Sequence, residues 1–272
     1  MYPEIRLLGR TVGTYGFFSF FGLALSVLVC WLLAKRWKNT IDDILLLSLA
    51  IGAGLLLGGH LLYAITRADL VVYAFSRIGR VSFREWLSLL SEGVGGMVFY
   101  GGFLGGLLAV LLFTRFTRLF EKKNALDLYA VATPLFHTFG RVGCFFGGCC
   151  YGREWSHGVL IRENRLNPSV AGVPRFPVQL VEAGCNLLIF LLLLSLFCRR
   201  RADGKLVFVY LTVYPVVRFL LEFLRGDEIR GVWLGLSTSQ WISVLLLFAS
   251  VTILVIQKNR DKNKKAVQSK DA

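Results

Sequence analysis

The sequence predicts an all-α, polytopic membrane protein with about seven transmembrane helices, its N-terminus outside and its C-terminus in the cytoplasm. Two observations predict the class and a third the orientation. First, 55% of the 272 residues are hydrophobic and the mean hydropathy is +0.61, which excludes an ordinary soluble globule. Second, apolar runs recur at close to the ~20 residues needed to cross ~30 Å of hydrocarbon. Third, alternate connections share Lys and Arg unequally. Segments 35–43, 115–124, 199–205 and 257–272 hold 17 in 42 positions, whereas 1–14, 65–93, 147–178 and 225–235 hold 12 in 86. The basic-rich group is assigned to the cytoplasm by the positive-inside rule.

The first span, Tyr15–Ala34, lacks a small-residue cleavage site after its apolar run and is read as a retained helix. The second is Ile44–Ala64 and the third Val94–Thr114. Gly95, Gly96, Gly101, Gly102, Gly105 and Gly106 would suit a broken or re-entrant segment in the third as well as a full crossing. The fourth, Ala125–Phe146, contains Pro134 and carries the same ambiguity. Gln179–Cys198, Leu206–Leu224 and Leu236–Ile256 complete the set. The whole forms one transmembrane domain over 1–256, interrupted by an extracytoplasmic loop at 147–178 and followed by a basic cytoplasmic tail at 257–272. That tail accounts for part of the net charge of +14 and suits anionic lipid; nucleic acid is not an expected partner.

Placed by depth, the polar residues that interrupt the spans converge on the outer side. Tyr15 opens the first span, His60 lies near the outer end of the second, and Tyr100-Gly101-Gly102 sits in the outer half of the third. Arg141 and Cys144 follow in the fourth, Gln179 and Glu182 in the fifth, and Arg218 and Glu222 in the sixth. Arg218 and Glu222 stand four residues apart and can pair on one helix face, either to serve a site or only to neutralise each other. Arg141 has no acid within helical reach, so its partner must come from another helix or from a ligand. A charged group at membrane depth reads by default as functional, and a phospholipid phosphate is the natural anion for a guanidinium to grip with two hydrogen bonds. Arg141, Arg218 and Arg153 are the candidates. Loop 147–178, with Arg162, Arg165 and Arg175 beside Trp155 and Phe176, reads as a cap at headgroup level or as a solvated connection.

These residues resemble the prolipoprotein diacylglyceryl transferases. Gly140-Arg141-Val142-Gly143, with Phe145, Gly148 and Gly152-Arg153, is similar to the family signature, whose arginine contacts the phosphatidylglycerol headgroup. The run from Gly95 to Gly102, Tyr15-Gly16, Pro177 to Glu182, Tyr214 to Arg225, and Leu236 to Gln240 resemble further family segments in the same order. The resemblance implies transfer of diacylglyceryl from phosphatidylglycerol to the lipobox cysteine of a prolipoprotein signal peptide, at a bacterial cytoplasmic membrane. Its products would be a thioether-linked lipoprotein precursor and glycerol 1-phosphate. It also implies catalytic roles for Arg218, Glu222, Tyr100 and Tyr15, and headgroup binding by Arg141, Arg153, Gly101, Gly102 and Gly152. No metal or cofactor is required by that scheme. The alternatives are a relative that handles another lipid or acceptor, or a non-catalytic lipid- or metal-binding protein on the same scaffold.

The chain departs from the family where chemistry matters. Tyr100 replaces the family histidine, Cys144 and Cys149 replace an asparagine and a glutamate, and His60 stands where an arginine is usual. A tyrosine, with an ordinary pKa near 10, is a poor base at neutral pH, so His60 or His137 is the candidate base, or none is essential. His137, Arg141 and Cys144 share one helical face, and Cys149, Cys150 and His157 follow. The three thiols admit packing, a disulfide or a metal, although their spacing matches no recognised zinc pattern. Cys30, Cys185 and Cys198 read as packing residues.

Overall fold

The computed structural model describes residues 4–7, 9–160, 168, 171–199, 204–226 and 232–268. The chain is mostly helical, in the order β1 (Glu4–Leu7), β2 (Arg10–Gly13), α1 (Thr14–Ala34), α2 (Ile41–Thr66), α3 (Ala68–Ser76), α4 (Phe83–Val94), α5 (Phe99–Phe116) and α6 (Lys122–Gly147). It continues through β3 (Glu154–Leu160), β4 (Pro174–Arg175), α7 (Val178–Cys198), α8 (Leu206–Glu222), β5 (Val232–Trp233), β6 (Leu236–Ser237) and α9 (Thr238–Gln268). Two compact units emerge, one from 1–29 with 130–272 and the other from 30–129.

Among the described residues, five helices are long and apolar enough to cross a membrane: Thr14–Trp37, Ile41–Thr66, Phe99–Phe116, Val178–Cys198 and Thr238–Ile256. Their exposed flanks carry Leu49, Leu57 and Phe248, each more than 70% accessible. Water would not tolerate so continuous an apolar surface, and lipid would. The fourth and sixth expected spans also form helices, but α6 is more polar and α8 shorter than these five. α6 carries Lys122, Lys123, Asp127, His137 and Arg141, and α8, at 17 residues, is about 26 Å long at 1.5 Å per residue. These two helices hold much of the polar chemistry.

In the second unit, α2 and α5 approach closely because glycine faces glycine. A Cβ on Gly105 would lie 2.1 Å from the Gly54 carbonyl oxygen, and one on Gly101 2.4 Å from that of Gly58. Small residues at a crossing are how apolar helices gain van der Waals contact inside lipid. The expected third span, Val94–Thr114, is observed as the unbroken helix α5 over Phe99–Phe116, with Gly101, Gly102, Gly105 and Gly106 inside it. Residues 95–98 separate α4 from α5 and are tied to α2 by the Val98 N–H donating to the Gly59 carbonyl at 3.2 Å. The 65–93 connection is not a plain loop either: α4 begins at a capping box in which Ser82 and Glu85 bond each other's backbone N–H.

In the first unit, α1 lies against α6, α7 against α8, and α8 against α9. α6 runs unbroken through Pro134, where the Thr138 hydroxyl donates to the Pro134 carbonyl at 2.8 Å. Gly143 lets α1 in, since a Cβ there would stand 3.2 Å from the Tyr15 backbone. The expected loop 147–178 contains structure that its turn-rich composition hid: β3 pairs antiparallel with β4. Arg162, Asn164, Arg165 and Asn167 lie outside the described residues. The basic tail begins as a helical extension, because α9 continues to Gln268.

Candidate active site

The first unit gathers its buried charges around Glu182. The sequence brings this side chain in on the second turn of α7, where it is fully buried. A buried carboxylate is tolerated only when paired, and several groups meet this one. Arg141 of α6 places Nη2 3.0 Å from Glu182 Oε1. The Tyr214 hydroxyl of α8 donates to the same oxygen at 3.0 Å. Arg225, just beyond α8, lies 4.0 Å from Oε2, and His137 Nε2 lies 3.8 Å from Oε1. The interhelical partner that Arg141 required is therefore Glu182.

A second ion pair lies along α8, where Arg218 meets Glu222 one turn on, as the spacing predicts. Arg218 is 5% exposed, and its Nη2 also donates to Ser239 Oγ at 3.3 Å. Its buried Nη1 has no hydrogen-bond partner among the described residues. Three guanidiniums, Arg141, Arg218 and Arg225, thus gather with two carboxylates, Glu182 and Glu222, in a largely buried polar centre among the described residues.

His137 is drawn into this network. Arg141 Nε donates to its Nε2 at 3.2 Å, and its ring packs edge-on against Tyr214 with centroids 5.2 Å apart. With that lone pair engaged, the imidazole orients the guanidinium and is a poor proton acceptor. Its neighbour on the same face, Cys144, leads to the turn that ends α6. Gly148, at φ 73°, closes that helix: the Cys149 N–H donates to the Cys144 carbonyl and the Gly148 N–H to that of Phe145, a Schellman motif. The reversal gathers the sulfurs of Cys144, Cys149 and Cys150 within 4.8 Å of one another. Gln179 of α7 fixes the turn by donating to the Cys149 carbonyl at 2.9 Å. Hydrogen bonds from Cys144 and Cys149, followed by the nearby Arg141 and Arg225 charges, hold the Cys150 thiol well below its ordinary range. His157 takes no part in this group; it lies on exposed β3, bonded to Ser156.

The remaining expected residues divide by unit. Tyr15 opens α1 beside Gly143, within electrostatic reach of Cys144, Cys149 and Arg141. Arg153 has an exposed side chain, and its backbone is bonded to Leu224 and Phe176. Gly152 is explained by packing, since a Cβ there would meet the Phe176 carbonyl oxygen at 2.2 Å. In the second unit, Tyr100 is buried at 4% exposure on the first turn of α5, and Gly101 and Gly102 serve the contact with α2. His60 Nδ1 lies 2.8 Å from the Val94 carbonyl. It must donate there, which puts the basic lone pair on Nε2. Sequence reasoning placed Glu182 among the converging polar residues and Tyr214 and Arg225 in a family-like segment, but gave none of the three a role in the site. The signal for Glu182 was an acid interrupting an apolar span, with no basic residue on its own helix to answer it.

Apolar spans around a buried, arginine-rich polar centre define a membrane protein equipped to meet an anion. The comparisons agree with that class and narrow it. The family profile described as prolipoprotein diacylglyceryl transferase matches residues 4–256. The phosphatidylglycerol–prolipoprotein diacylglyceryl transferase 2 of Clostridium perfringens is 31% identical over 258 residues, covering 93% of this chain and 94% of that protein. Transferases of the same name from Clostridium tetani and Campylobacter hominis are each 28% identical, covering 94% and 97% of this chain and 97% and 94% of their own lengths. The chain belongs to the prolipoprotein diacylglyceryl transferase family.

Proposed function

We propose that this chain transfers the diacylglyceryl group of phosphatidylglycerol to the lipobox cysteine thiol of prolipoproteins, the first step of lipoprotein maturation. In this reading it crosses a bacterial cytoplasmic membrane seven times as one transferase domain, with the N-terminus and the active site on the extracytoplasmic side and the basic tail inside. The observation that carries the reading is the gathering of three buried guanidiniums with Glu182 and Glu222, with Arg218 Nη1 lacking a hydrogen-bond partner among the described residues.

The chemistry explains why such a centre is useful. The acceptor sulfur forms a bond to the terminal glyceryl carbon as the carbon–oxygen bond to phosphate breaks. The phosphate is a singly charged diester before the step and gains a second negative charge as it leaves as glycerol 1-phosphate. Fixed donors aimed at developing charge lower the barrier most in a site shielded from water. Arg218 binds the departing phosphate, held in place by Glu222. Arg141, oriented by His137 and Glu182, binds the headgroup, and Arg153 meets it at the surface. The thiol must lose its proton to become nucleophilic, and Tyr15, beside Gly143, takes a positioning role.

The test follows phosphatidylglycerol labelled in its headgroup, incubated with purified protein and a lipobox peptide. Labelled glycerol phosphate is expected only when the peptide carries cysteine, and Arg218→Ala should suppress it. Release with a serine peptide would mean lipid hydrolysis and overturn the assignment.

A further inference from the structure

We propose that Cys144, Cys149 and Cys150 form a three-thiolate binding site for a soft monovalent cation, Cu(I). Nothing in the diacylglyceryl transfer uses these sulfurs, yet the chain end of α6 is arranged around them. In a Schellman motif the two positions joined by the long backbone hydrogen bond commonly make a hydrophobic contact. Here those positions are Cys144 and Cys149, linked N–H to carbonyl at 3.1 Å. Cys150 then adopts φ 55°, a left-handed conformation that only glycine, asparagine and aspartate visit readily. A side chain held in an unfavourable backbone region points to a purpose at that position, and here it completes a triad whose sulfurs all lie within 4.8 Å of one another. Trigonal coordination with metal–sulfur bonds of about 2.3 Å places sulfurs about 4 Å apart, which that triad meets with little movement.

The donor set selects the ion. Thiolates prefer soft metals, and structural zinc sites almost always take four ligands, whereas the group here consists of three sulfurs, a number that suits trigonal Cu(I). A disulfide would join two of these sulfurs and leave the third unused. Simple packing would require neither the left-handed cysteine nor the convergence.

The test uses the full-length chain in detergent micelles, reduced and anaerobic, competing with a chromophoric Cu(I) chelator. One equivalent of Cu(I) should be withdrawn by the wild type and by the Cys30→Ser/Cys185→Ser/Cys198→Ser variant. Cys144→Ser, Cys149→Ser and Cys150→Ser should each weaken binding by more than the roughly 10–100-fold that loss of a supporting group costs. X-ray absorption of the wild-type complex should count three sulfurs, a readout that does not depend on any variant folding. Fewer sulfurs, undiminished binding in the three single variants, preference for Zn(II) over Cu(I), or a purified chain that carries a disulfide and takes up no Cu(I) would overturn the assignment.

Discussion

Replacing Glu182 with glutamine tests how the polar centre is held together, because it keeps the shape of the side chain and removes only its charge. In the wild type the carboxylate stands 3.0 Å from Arg141 and 4.0 Å from Arg225. At an effective dielectric of about 20, unit charges at those separations attract by about 5.5 and 4 kcal/mol. Desolvation cancels much of this, and breaking a buried pair by removing one partner costs about 3–5 kcal/mol, because an uncompensated charge stays behind. Glu182→Gln should lower stability by that amount in thermal unfolding in neutral detergent. Phosphatidylglycerol should then restore more stability to the variant than it adds to the wild type, since its phosphate supplies the lost negative charge; phosphatidylcholine, with no net charge, should restore less. The double variant Arg141→Leu/Glu182→Leu should lose less than the two single changes together, with a coupling of about 0.5–3 kcal/mol. A Glu182→Gln protein within about 0.5 kcal/mol of wild type, the scatter of an ordinary surface change, with no selective rescue by phosphatidylglycerol, would refute the reasoning.

Arg218→Lys keeps the charge but loses the planar fork, so turnover should drop more than the KM for phosphatidylglycerol rises; steady-state kinetics of headgroup release will show it. Gly105→Ala would push a methyl group into the Gly54 carbonyl oxygen, 2.1 Å away. The resulting overpacking should cost about 1–3 kcal/mol in thermal unfolding, whereas Gly52→Ala, which meets nothing within 4 Å, should cost almost none. Hydrogen bonds from the Ser82 backbone N–H and then its hydroxyl hold the Glu85 carboxyl below its ordinary range. Because the folded value is depressed, that contribution is complete above the unfolded value of about 4.3 and is lost as pH falls through the folded one. A fluorine label on Trp86 should therefore report fraying of the α4 N-terminus on acidification, and Ser82→Ala should produce that fraying at neutral pH.

The helices were legible because burial in lipid imposes a simple rule on composition. The expected first span began at Tyr15 and the helix begins at Thr14; the fifth began at Gln179 and the helix begins at Val178. Hydropathy says less about α6 and α8, whose polar residues are sheltered by neighbouring protein. The short pairing of β3 with β4 escaped notice because turn-rich sequence separates the strands, β4 has only two residues and the register is irregular. Within the site, the Arg218–Glu222 pair was readable from spacing alone. The meeting of Arg141, Tyr214 and Arg225 on Glu182 was not, since it joins three helices across sequence separations that no periodicity reports. The same limit applies to His137: its place on the face of Arg141 was legible, but the engagement of its Nε2 by that guanidinium appears only in three dimensions.

The most direct measurement is the mass of a lipobox peptide after incubation with the purified chain and phosphatidylglycerol. The account predicts a peptide heavier by one diacylglyceryl group, joined through an alkali-stable thioether at its cysteine, in step with release of glycerol 1-phosphate, and loss of both when Arg218 is changed to alanine. An unmodified peptide in the presence of folded protein with phosphatidylglycerol bound would contradict it.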